Sequence, residues 1–187
     1  MVSKGLKKPK KLQRNNSLFL IILGLLIFIF GGINYYRVRI LSFSNTPQAT
    51  LDSVTNTDIP SEVIIPSIDI DLKIEPGKIK NDVWEISALN ATYLNISSPP
   101  GSGGNTVIYG HNKKAIFGNL PYLSIGQKIT VKTVSGNIYN YVVDSKYFVS
   151  PDKVEYVSPT VTEQLTLYTC WGLFDSQRAV IIAKPQK

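Results

Sequence analysis

The chemistry that this sequence offers rests on one cysteine, one histidine and one late arginine. Cys170 is the only cysteine and His111 the only histidine in 187 residues. Cys170 ends the run Leu165-Thr166-Leu167-Tyr168-Thr169-Cys170. His111 follows Thr106-Val107-Ile108-Tyr109-Gly110, and Arg178 opens Arg178-Ala179-Val180-Ile181-Ile182-Ala183. Each run reads as a strand, so each of the three residues stands at a strand edge. A lone cysteine often only fills space in a core. A thiol at a strand end, with a histidine and an arginine at similar edges, also fits a nucleophile, a proton carrier and an anion-holding fork of donors.

A single cysteine forms no internal disulfide, which leaves Cys170 available to react. With ordinary pKa values of ~8.5 and ~6.5, about 3% of the thiol is ionised and about 24% of the imidazole protonated at pH 7. Both conditions hold together in under ~1% of independent pairs, so an enzyme built on them is slow or couples the two groups. Other constellations are weaker. Asp69 and Asp71 share the polar face of an alternating run but have no further liganding cluster nearby, and read as a solvated face. The loop Ser98-Pro99-Pro100-Gly101-Ser102-Gly103-Gly104 lacks the Gly-Lys-Ser/Thr ending of a phosphate cradle. Papain-like peptidases place Cys before His, the reverse of the order here.

Short strands must position these groups. Alternation puts Thr166, Tyr168 and Cys170 on one face and Leu165, Leu167 and Thr169 on the other. Further strands are expected at Val63–Pro66, Ile68–Leu72, Gln127–Thr133 and Ile138–Val149, the last bent or bulged near Asp144-Ser145. Ser135-Gly136-Asn137 signals a hairpin. A short helix is expected over 86–95, with Ile86, Leu89 and Leu94 near one side, and an irregular turn or helix over 115–123. Many short strands with little helix indicate an antiparallel barrel or sandwich, and the pattern alone leaves both open.

The net charge of +7 is local. Eight of the 20 basic residues precede residue 41 with no acid among them, so residues 41–187 hold 12 basic against 13 acidic residues. A general nucleic-acid surface is not supported. Residues 18–33 carry no charge, and with Ser17 and Asn34-Tyr35-Tyr36 they are long enough for a membrane span of about 30 Å. Six basic residues precede it, which puts the N-terminus in the cytoplasm. Gly31-Gly32-Ile33-Asn34 is a poor cleavage site, so an uncleaved signal anchor is expected. The expected organisation is a cytoplasmic basic tail over 1–16, a transmembrane anchor over 17–36, a Ser/Thr/Asn-rich extracellular stalk over 37–60 and a domain over 61–187.

Thr166-Leu167-Tyr168-Thr169-Cys170 resembles the Thr-Leu-any-Thr-Cys motif of the sortases, cell-surface cysteine transpeptidases of mainly Gram-positive bacteria. Val107-Ile108-Tyr109-Gly110-His111 resembles their histidine segment, and Arg178 follows at a spacing that they use. The resemblance covers roughly residues 60 to 184. It implies a closed β-barrel of about eight strands with short helices in the crossovers. It implies Cys170 as nucleophile, His111 as acid and base and Arg178 as the substrate-holding and oxyanion-stabilising group, with Thr169 and Trp171 lining the site. The implied substrate is a surface protein bearing a Leu-Pro-any-Thr-Gly-like sorting signal. The implied acceptor is an amine of cell-wall precursor or pilin. No cofactor or metal is expected. Calcium modulation, known in some sortases, cannot be traced to residues here, and the sortase class stays open. The competing reading is an inactive, membrane-anchored β-module that binds peptide or wall polymer.

Overall fold

The computed structural model describes residues 13–39, 58–77, 79–80 and 83–186. Contacts divide the chain into two units, Met1–Arg39 and Ile40–Lys187. In the first, Gln13–Arg39 form one helix, α1. Its side chains are described over 17–33, and all of them are exposed. Among the described residues no helix is long and apolar enough to cross a membrane. The described side chains cover about 25 Å at ~1.5 Å per residue, against about 30 Å of hydrocarbon. The membrane span expected over 17–36 is therefore not found as drawn, and the side chains of 34–36 lie outside the described residues.

The second unit is the closed eight-stranded barrel expected from the resemblance. Its strands are β1 (Pro60–Ile65), β2 (Ile70–Gly77), β5 (Ala91–Leu94), β6 (Asn105–Gly110), β7 (Lys128–Thr133), β8 (Ile138–Val149), β9 (Gln164–Trp171) and β10 (Gln177–Pro185). The order around the barrel is β1-β2-β5-β6-β9-β10-β8-β7. The pairs β2–β5 and β6–β9 are parallel, and the rest are antiparallel. A separate small hairpin, β3 (Ile79–Lys80) with β4 (Val83–Trp84), lies in the crossover from β2 to β5.

Two apolar clusters explain why the site strands read as continuous hydrophobic runs. Val63, Ile65, Ile108, Leu165, Leu167, Ile181 and Ala183 fill the barrel interior with Ile129, Val131 and Tyr141. Val107, Tyr109, Tyr168, Cys170, Val180 and Ile182 form a second cluster on the other face of β6, β9 and β10. Trp84 and Ile86 from the crossover and Val154, Tyr156 and Val157 pack into it. A sheet covered on both faces has no polar face to alternate with.

The bulge expected near Asp144 is present: the β8–β10 register shifts between Ile182 and Ala183, which pair with Ser145 and Val143. The helix expected over 86–95 is absent. Ser87 Oγ accepts from the amides of Leu89 and Asn90 to make a turn, and Ala91–Leu94 form β5 instead. Leu89 is exposed, so the apparent helical stripe never existed. The expected Ile68–Leu72 strand starts only at Ile70 and runs on to Gly77, because Pro66–Ile68 form a 3-10 turn closed by a left-handed Asp69. Asp69 and Asp71 thus do not share one strand face.

The expected stalk is trimmed at both ends. Residues 37–39 are helical, 40–57 lie outside the described residues, and Asp58 already belongs to the domain. The Asp58 carboxylate accepts hydrogen bonds from the Ser135 hydroxyl, from Asn137 Nδ2 at 2.9 Å and from Tyr139 Oη at 3.0 Å. This pins the lead-in to the β7–β8 hairpin. Strand β8 runs from that hairpin to Val149, which pairs with Arg178, a path of roughly 35 Å at ~3.3 Å per residue. The chain therefore enters the barrel at the pole opposite Cys170 and Arg178.

Candidate active site

Cys170 and Arg178 are direct cross-strand partners in the antiparallel pair β9–β10. Directly opposed residues share a face with their Cα atoms about 4.5–5.5 Å apart. On the other side of β9, parallel strand β6 pairs Gly110 with Thr169. His111 is the next residue after Gly110 and so stands level with Cys170. Three neighbouring strands thus deliver the three expected residues to one end of the barrel.

Each of them is held by its surroundings. Cys170 is 6% exposed and lies in the outer cluster. The His111 carbonyl accepts from the amides of Lys113 at 2.8 Å and Phe117 at 3.1 Å, which winds the chain tightly after the histidine. A Cβ on Gly110 would stand 2.9 Å from Ile116 Cγ2, so any larger residue before His111 would force Ile116 to shift. Arg178 is 2% exposed. Its Nη1 donates to the Asp175 carbonyl at 2.8 Å and to the Gln177 carbonyl at 2.9 Å.

The two residues expected to line the site have different surroundings. Thr169 faces the barrel interior, fully buried, and its Oγ1 donates to the Gly110 carbonyl at 2.9 Å. It ties the end of β9 to the end of β6. Trp171 is half-buried at the barrel end. Its ring meets Tyr122 edge-on at 5.8 Å and Phe148 at 5.9 Å. Lys146 braces this cluster, donating from Nζ to the carbonyls of Pro121 and Leu123, both at 3.0 Å.

Sequence reading missed Tyr168, at the variable position of the motif. It is fully buried on the Cys170 face, one step inward along β9, where it pairs with Val180. Burial pushes its phenol up. The Arg178 charge draws it back, while Cys170 pushes it up further. The phenol therefore lies within reach of both groups and is neutral at pH 7. Trp84 was also missed. It is buried in the same outer cluster as Cys170, and its ring stands 5.0 Å from that of Tyr109. No signal in the sequence marks either residue, because both depend on which strands become neighbours.

A cavity of about 370 Å³ lies on the flank of β2 and β5, lined by Glu75, Gly77, Glu85, Ile86, Ser87 and Thr92 among others, and it includes none of Cys170, His111 and Arg178. Among the described residues no group of three or more His, Cys, Asp or Glu is placed to hold a metal ion.

The chain is similar to known proteins. The Sortase domain model matches residues 63–186. Sortase A of Bacillus anthracis is 26% identical over 152 residues, covering 79% of this chain and 71% of that protein. Among solved structures, Streptococcus agalactiae sortase C1 in complex with MTSET superposes with a TM-score of 0.58 at 25% identity, covering 71% of this chain and 69% of that one. Sortase A from Corynebacterium diphtheriae gives 0.60 at 27% identity, covering 69% of this chain and 61% of that one. With the domain model matched from β1 to the end of β10, through all three strand ends of the site, the chain belongs to the sortase family of cysteine transpeptidases.

Proposed function

We propose that this chain cleaves a Leu-Pro-any-Thr-Gly-like sorting signal through a thioester on Cys170 and passes the acyl group to an amine. The observation that carries the reading is the register: Cys170 opposite Arg178 on one side, and Thr169 opposite Gly110, next to His111, on the other.

The Cys170 sulfur attacks the carbonyl carbon of the Thr–Gly bond. The S–C bond forms, the C–N bond breaks, and protonated His111 gives its proton to the leaving amine. Arg178 holds the oxygen that becomes negative during attack. An incoming amine then attacks the thioester, its proton goes to His111, and the thiolate leaves. Each step as written uses only side chains of this chain. The acceptor is an amino group of a cell-wall precursor or a pilin subunit. Trp171, in its aromatic cluster at the barrel end, contacts the signal, and Thr169 positions the two strand ends.

The proposal extends to location. Six basic residues before an uncharged helical stretch support an N-terminus in the cytoplasm, with the catalytic domain outside, held at the cell membrane.

The test incubates the full chain, in detergent, with a library of sorting-signal peptides and an amine acceptor, and follows products by mass spectrometry. Acceptor-dependent ligation products with a shared cleavage point support the reading. A folded chain that binds peptides without cleaving any supports the inactive binding module.

A further inference from the structure

We propose that the turn Gly172–Ser176 is a positioning device for Arg178, in which the backbone carbonyl of Asp175 aims the guanidinium at the strand end that carries Cys170. The inference rests on the role given to Arg178 above.

Phe174 and Asp175 are consecutive non-glycine residues in the left-handed region, with φ of 54° and 59°. Such residues are uncommon, and they persist where surrounding contacts over-determine them. Burial of the tip does not hold this turn, because Leu173 is 78% exposed and Phe174 68% exposed. The backbone holds it. Gly172, at φ 81° and ψ 178°, opens the turn in a region essentially restricted to glycine. The amides of Asp175 and Ser176 then donate to the carbonyls of Gly172 and Leu173, each at 3.2 Å.

The contortion turns the Asp175 carbonyl back onto Arg178 Nη1 at 2.8 Å, beside the Gln177 carbonyl at 2.9 Å. Nη1 carries two protons, and these two carbonyls engage both. The guanidinium is planar, so fixing one nitrogen at two points fixes the plane and direction of the whole fork. An arginine meeting a developing oxyanion needs that precision, since a small misplacement removes the benefit. Aspartate fits the role because it tolerates the left-handed conformation better than most residues.

The test is a series at one position in the full chain: D175N, D175G and D175V. Asparagine and glycine accept the left-handed conformation, and β-branched valine opposes it. Three quantities are read: the melting temperature, kcat and KM for ligation, and the pH dependence of Cys170 alkylation. D175N and D175G are expected to stay within about twofold of the parent in kcat. D175V is expected to lose about tenfold or more in kcat with KM little changed, because the donor acts on the transition state. Its alkylation midpoint is expected to move to higher pH as the guanidinium leaves its place beside the thiol. If D175V does not fold, D175A takes its place, carrying the left-handed penalty without the branch.

Unchanged kcat in a folded D175V overturns the inference. So does equal damage in D175N, D175G and D175V, which assigns the effect to the carboxylate. The alkylation profile needs no peptide substrate. A chain that ligates nothing but still shows the D175V shift contradicts the proposed function and leaves the turn's role standing.

Discussion

The Thr169 hydroxyl donates a 2.9 Å hydrogen bond to the carbonyl of Gly110, the residue before His111. Both groups are buried, and the bond crosses between the two parallel strands that bring thiol and imidazole level. Thr169→Val keeps the shape and removes the donor. Its cost is about 1–2 kcal/mol, because a buried carbonyl loses a partner. The expected outcome is a melting temperature lower by roughly 3–6 °C, with kcat reduced more than KM is raised. A calorimetric melt and steady-state kinetics on the same preparation check it.

Cys170→Ala is expected to abolish ligation while the protein still melts cooperatively. Arg178→Lys keeps the charge but loses the planar fork that bonds the Asp175 and Gln177 carbonyls. We expect kcat/KM to fall about 100-fold, on the scale of losing an oxyanion donor. Wild-type rates in a folded Arg178→Lys would remove the arginine from the mechanism.

Tyr168→Phe deletes one hydroxyl from a fully buried ring and leaves the packing intact. Because that phenol lies close enough to Arg178 and Cys170 to feel the charge of each, kcat is expected to drop by roughly three- to tenfold. The alkylation pH profile of Cys170 is the second readout, and a purely structural role leaves it unmoved.

At the opposite pole, partial burial acts to raise the Asp58 pKa, but hydrogen bonds from Ser135, Thr133, Asn137 and Tyr139 outweigh it and bring the value from 3.8 to about 2. A carboxyl lowered on folding stabilises the folded state above its ordinary pKa and loses that contribution as pH falls. The stabilisation is thus complete above the 3.8 region and fades as pH falls toward about 2. Asp58→Asn is expected to lower the melting temperature at pH 7, with the gap to the parent closing toward pH 2. A gap that stays constant with pH would mean that the ionised carboxylate is not what holds the lead-in.

The strand ends that carry the three candidate residues were legible in the sequence because β6, β9 and β10 are buried on both faces. Their apolar runs stop at the candidate residues, at His111, at Trp171-Gly172 and before Arg178. Barrel closure came only with the resemblance, since alternation describes a strand and not its neighbours. The helix expected over 86–95 failed because Ile86, Leu89 and Leu94 fall at helix-like spacing by coincidence. Ser87 turns the chain there, and parallel pairing with β2 claims Ala91–Leu94. Tyr168 and the Asp175 carbonyl could not be read at all. One acts across strands, and the other is a backbone atom that any residue carries.

The central claim is that Cys170 takes up the acyl group. Intact-mass spectrometry of the full chain with a cleavable sorting-signal peptide, first without and then with an amine acceptor, tests it most directly. The account predicts a hydroxylamine-labile adduct on Cys170, equal in mass to the peptide up to its threonine, that disappears when the amine is added. An adduct on any other residue, or ligation that persists in Cys170→Ala, would contradict it.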